Sequence, residues 1–177
     1  KELLSPQGIG VAVAIDWGLA VQIFLAPFLS ILLNQSSLPF RQTTLSHSPI
    51  GTIISFGLGW LAAGILVFFG EMVRSGRNWA RIVQIVASVV LVLGGLFMLG
   101  HAYQSIRMGN FWPIVPEVIL LVFTPLVAWR LSRRRTARWF QAISPAQARE
   151  RHGGSWVWFI ALWALIGGVL QTIASMK

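Results

Sequence analysis

The sequence predicts an all-α fold, a polytopic transmembrane bundle of five spanning helices. Three observations carry that prediction. Hydrophobic residues make up 55% of the 177 residues, with a mean hydropathy of +0.71. Charged residues make up 11%, where soluble domains carry about 25%. The apolar residues also fall into five runs, each near the ~20 residues that cross a hydrocarbon core about 30 Å thick. A soluble domain could bury one such run, but five leave too little polar surface to face water. Unpaired backbone groups are costly in lipid, so the runs are expected as helices.

The first span is read from Ile9 to Leu33. It is too long for the apolar region of a signal peptide and lacks a small-residue cleavage site at its far end, where "FLSILLNQSS" leads into a loop with Pro39 and Pro49. The chain opens with Lys1 rather than Met, which leaves room for native residues ahead of it. The second span, 50–69, repeats Ser55, Gly59 and Ala63 every four positions, a face that lets another helix backbone come close. The third covers 82–102. The fourth, 114–131, is the shortest, and the fifth, 156–174, carries the matching face Ala164, Gly168 and Thr172. Both small-residue faces suit packing inside the bundle or against a partner subunit. Pro27 and Pro125 are expected to kink the first and fourth spans, freeing the carbonyls of Ile23 and Leu121, with Thr124 taking up part of the slack. No internal repeat is visible. The chain reads as one domain, 1–177, and an odd number of spans argues against a simple inverted-repeat transporter.

Between the fourth and fifth spans lies a basic loop, 132–155. "RLSRRRTARWF" puts Arg130, Arg133, Arg134, Arg135 and Arg138 close together, and Arg149 and Arg151 follow. Arg74, Arg77 and Arg81 occupy the link between the second and third spans, whereas the other two links hold only Arg41 and Arg107. The positive-inside rule then places the arginine-rich links and the amino terminus in the cytoplasm and the carboxyl terminus outside. This reading makes the arginine run a topology determinant rather than a nucleic-acid site, despite a net charge of +9, because no nucleic-acid-binding fold accompanies it. "SPAQARER" predicts a short helix with Ser144 as N-cap, Pro145 at its first position, Gln147 three residues on, and an end at Gly153 and Gly154. Trp139, Phe140 and Ile143 among the arginines suggest an interfacial amphipathic stretch in contact with anionic lipid.

Trp79, Trp129, Trp139, Trp156 and Trp158 map near the inner interface and Trp112 near the outer one, as anchors. Trp17, Trp60 and Trp163 lie deeper and are expected to pack between helices.

Ionisable groups inside the spans are where chemistry is sought, since an unpaired charge there is costly. Asp16, in "VAIDWG", is expected to pair with Arg81, with Gln84 as neighbour; the pair either fixes helix packing or relays a proton or ion. On the outer side, Glu117 in the first turn of the fourth span suits the helix dipole, with a salt bridge expected, and His101 and Arg107 lie on the same side. No metal site or other cofactor is predicted. Cysteines are absent, which excludes thiolate ligands and nucleophiles, and the common motifs of zinc hydrolases, phosphate loops and serine hydrolases are missing.

The stretches "GRNWARIVQIV" and "SPQGIGVAVAI" resemble small uncharacterised bacterial multi-pass inner-membrane proteins, in which a Trp-Ala-Arg motif leads into an apolar helix. The resemblance covers about a fifth of the chain and implies a bacterial inner-membrane location without implying an activity. The functional expectation is a non-catalytic membrane subunit that packs against a larger respiratory, photosynthetic or transport complex, with other membrane subunits and anionic lipids as partners. The alternatives are a small stand-alone or homo-oligomeric transporter or channel using Asp16, Gln22 and Gln84, and an enzyme acting on lipid or quinone at Glu117 and His101.

Overall fold

The computed structural model describes residues 8–32 and 49–175, and every regular element among them is helical. Five helices are long and apolar enough to cross a membrane, so the protein is a multi-pass helical membrane protein. We label them α1 (Ile9–Leu32), α2 (Pro49–Arg74), α3 (Asn78–Arg107), α4 (Ile114–Ser132) and α7 (Ser155–Ser175), with two short helices, α5 (Arg134–Ala142) and α6 (Pro145–Arg151), between the last two spans. Lys1, Leu33, Pro39 and Arg41 lie outside the described residues, as does the side chain of Ser55.

The second and third spans run further than hydropathy alone predicts, because polar residues at their ends continue the helix. Helix α2 passes Phe69 and ends in a Schellman turn, in which Gly76 N–H bonds Val73 O (3.1 Å) and Arg77 N–H bonds Met72 O (3.2 Å). Gly76 adopts φ +73° there, and a Cβ on it would stand 2.8 Å from Ile143 Cγ2. Glycine is therefore required twice over, by conformation and by space.

Helix α1 is the centre of the bundle, flanked by α2 and α7, while α3 packs mainly on α4. Its buried positions Ile9, Ala12, Val13, Asp16 and Ala20 follow helical spacing along one stripe. Against α7 the approach is backbone to backbone. A Cβ on Gly168 would lie 2.6 Å from Gly18 O and 2.7 Å from Val21 Cβ, and one on Gly18 would lie 3.3 Å from Ala164 O. Against α2, Gly59 faces Ile23, Ala63 is buried, and Gly70 makes room for the Trp17 indole, whose Nε1–H donates to Val67 O at 3.3 Å. Both faces of small residues found in the sequence are thus used inside the bundle, on α1.

Helix α4 departs from the simple kink expected at Pro125. Residues Ile119–Phe123 wind as a π-helix, and Thr124 Oγ1–H donates to Ile119 O at 2.8 Å. Proline has no N–H to give Leu121 O, and the wider turn absorbs that missing bond over several residues. Thr124 does take a carbonyl, that of Ile119, two residues before the expected Leu121. Gly95 of α3 packs closely here, as its Cβ would meet Leu120 Cβ at 2.9 Å.

The basic segment is largely helical. Ser144 and Gln147 form the predicted capping box, each side chain bonding the other's backbone N–H at 3.3 Å. The apolar face of α5 faces protein, contrary to the expectation of a helix resting on lipid. Trp139 is 1% exposed and Phe140 3%, and both join Ile9, Val13, Val73, Ala80, Val127, Leu131 and Ala148 in the main core. Trp139 is therefore a core residue rather than an interfacial anchor. Helices α5 and α6 form a lid over the arginine-rich end of the bundle.

Candidate functional site

The buried polar residues that could carry chemistry lie just beneath that lid. Asp16 sits two turns into α1 on its buried stripe, and Gln84 lies on the narrow buried stripe of α3 with Ala80 and Ser88. They are 4% and 3% exposed, and Gln84 Nε2–H donates to Asp16 Oδ1 at 2.9 Å. The other two oxygens, Asp16 Oδ2 and Gln84 Oε1, have no hydrogen-bond partner among the described residues. The pair thus leaves two buried acceptors without donors among the described residues, an arrangement that a proton on the carboxylate would partly relieve.

The expected Asp16–Arg81 pair is not formed. Arg81 Nε–H donates to Asn78 Oδ1 (3.1 Å) and its Nη1 to Leu131 O (3.0 Å). Arg81 enters α3 one turn before Gln84, so its guanidinium stays at the helix end and meets the last carbonyls of α4, which lack intrahelical donors. Ser132 Oγ–H to Ala128 O (2.6 Å) and Thr136 Oγ1–H to Arg130 O (2.8 Å) cap the same end. Arg81 is a capping cation, and Gln84 takes the place expected for it beside Asp16.

Substituting Gln84 by Leu removes the only donor to Asp16 among the described residues. The expected loss is on the order of 1–3 kcal/mol, read as a lower thermal midpoint in detergent. Asp16→Asn keeps the Oδ1 acceptor and is expected to unfold near the wild-type temperature.

On the far side, His101, Arg107 and Glu117 do not come together. His101 is exposed, Arg107 lies over the Tyr103 ring of its own helix at 5.9 Å, and Glu117 Oε2 is buried without a partner among the described residues. Among the described residues the salt bridge expected for Glu117 is absent, because Arg107 turns back along α3 rather than across to α4. Among the described residues no group of three or more His, Cys, Asp or Glu could hold a metal ion.

Two residues passed over in the sequence join the lid to the bundle. Glu71 receives Arg74 in a two-pronged contact (2.6 and 2.8 Å) and Arg149 Nε at 3.3 Å, while Arg74 Nη1 also donates to His152 O at 2.9 Å. The His152 ring lies between Trp139 (5.6 Å between centroids) and Trp156 (4.7 Å). The Glu71-x-x-Arg74 spacing is a readable helix ion pair; a histidine ahead of Gly153–Gly154 gives no such signal.

Burial, with Arg74 nearby, holds the His152 imidazole below its ordinary pKa of 6.5. The folded protein keeps this ring neutral while the unfolded chain protonates it, so its contribution to stability is full above about pH 6.5 and is lost as pH falls below that. A thermal midpoint that drops between pH 7 and 5.5 is expected, and His152→Phe should flatten that part of the curve.

Comparison of the chain with protein-family models, curated proteins and solved structures finds no match to any of them.

Proposed function

We propose that this protein is a non-catalytic integral membrane subunit that packs against a larger membrane assembly in a bacterial inner membrane, with its arginine-rich end in the cytoplasm. The supporting observation is the outward surface of α2 and α3. Consecutive helices usually pack together, yet α2 packs on α1, α3 packs on α4, and the two touch each other sparsely. Ile54, Leu58, Leu61 and Ile65 of α2 and Val86, Val90, Leu93 and Phe97 of α3 face outward. Among the described residues nothing lies within 4 Å of a Cβ on Gly57, Gly64, Gly94 or Gly100, so a foreign helix could approach there without displacing any of them. The Gly59 and Gly168 faces, which suited packing inside the bundle or against a partner, pack on α1, which leaves this surface for a partner.

Purification in a mild detergent tests the proposal. Recovery at fixed stoichiometry with other membrane polypeptides supports it, with Gly94→Leu weakening the association while leaving the isolated chain folded. A homogeneous homo-oligomer that conducts ions or protons in liposomes refutes it and favours a transporter or channel. One observation speaks for that second reading, the oxygens of Asp16 and Gln84 that have no partner among the described residues. It predicts that Asp16→Asn abolishes flux while assembly is normal.

A further inference from the structure

Independently of any partner subunit, we propose that the end of α4 and the outer face of α5 form a binding surface for the phosphate groups of anionic phospholipids, with the stacked Arg133–Trp129 pair as its fixed contact.

Among the described residues, the charge on this surface has no paired carboxylate. Arg133, Arg134, Arg135 and Arg138 are exposed, Arg130 is half-buried, and none of the five has a carboxylate within 4 Å among the described residues. The ion pairs found there centre on Glu71, which takes Arg74 and Arg149. Arg134 and Arg138 are one turn apart on the same helix face, as are Arg135 and Arg138, so like charges repel along it. An external anion relieves that repulsion.

The height of the surface identifies the anion. Trp79, Trp129 and Trp158 belong to three different spans, lie near their arginine-rich ends, and are 49%, 54% and 78% exposed. Exposed indoles at one level on several spans mark the boundary between hydrocarbon and headgroups, and the arginines follow just beyond Trp129 in the chain. The Arg133 guanidinium carbon lies 3.8 Å from the centre of the Trp129 ring. Stacking occupies the face of the guanidinium and leaves its N–H edge to meet two phosphate oxygens in plane. Because Trp139 and Phe140 anchor α5 in the protein core, the helix need not insert into lipid to stay in place. Its arginines are held at a fixed height rather than floating with the membrane surface, as those of a free amphipathic helix do.

The test uses the full chain in nanodiscs of equal parts phosphatidylglycerol and phosphatidylcholine, followed by mass spectrometry of the lipids retained. The wild type is expected to retain phosphatidylglycerol preferentially, with the preference shrinking as salt is raised. Each surface arginine contributes about a fivefold preference at low salt, so the R133Q/R134Q/R138Q variant should lose most of it, whereas R107Q, which removes one arginine at the opposite end, should lose no more than a single arginine's share. Trp129→Leu, which keeps every charge but removes the stack, should reduce the preference partially. Equal retention of the two lipids by the wild type would overturn the proposal, and that measurement does not depend on any variant folding. An unchanged preference in the triple variant would overturn it too. Displacement of the lipid by a soluble oligonucleotide would reassign the surface to a water-borne polyanion and so reject it.

Discussion

Replacing Trp139 with alanine is expected to destabilise the protein by about 3–5 kcal/mol, the range for losing a fully buried large aromatic side chain. The ring is 1% exposed and touches Phe140 edge-on at 5.1 Å and His152 at 5.6 Å between centroids. It fills the space between the lid and the ends of α1 and α2, a space formed by elements distant in sequence and poorly able to collapse. Its loss should also expose His152 and uncouple Arg74 from the lid. The natural comparison is Trp129→Ala, at a residue 54% exposed, which should cost no more than about 1 kcal/mol. Thermal unfolding of both variants in the same detergent measures the contrast. Equal effects would mean that Trp139 is an interfacial anchor after all and that the lid is not seated as described.

The second large effect is expected at Gly168. A methyl group there meets Gly18 O at 2.6 Å and Val21 Cβ at 2.7 Å. A flexible side chain could swing away, but a backbone oxygen moves only if the whole helix moves. Gly168→Ala should therefore cost at least the ~1–3 kcal/mol typical of an overpacked core, and Gly168→Leu should prevent α1 and α7 from docking. Gly167 is the control next door, with nothing among the described residues within 4 Å of its Cβ. Gly167→Ala should be neutral or stabilising by up to about 1 kcal/mol, since alanine is the better helix former. Adjacent glycines in one helix would then respond with opposite sign, which composition alone does not predict.

The spans were legible because apolar length is a one-dimensional property and lipid imposes it directly. The same holds for the capping box at Ser144 and Gln147, a local pattern read over four residues. The partner of Asp16 was not legible. Arg81 and Gln84 are one turn apart at the same end of α3, and the choice between them depends on where the carbonyls of α4 end, which is a matter of tertiary placement. Trp139 was misplaced for a related reason. Its arginine neighbours resemble an interfacial helix, and only the third dimension shows that the apolar side of α5 has a protein surface to cover. The two small-residue faces were found, but not their shared target, because the matching four-residue repeat of Gly10, Ala14 and Gly18 on α1 was not read as a face.

The docking of Gly18 against Gly168 also orders events in time. A ribosome adding about 5–20 residues per second releases α1 on the order of ten seconds before α7 exists. Until then the first helix has its backbone seam open to whatever surrounds it, and the lid that covers its start is not yet made. Assembly must therefore close from the last segment back onto the first. A chain stalled before α7 would leave an unfinished product for membrane quality control to find.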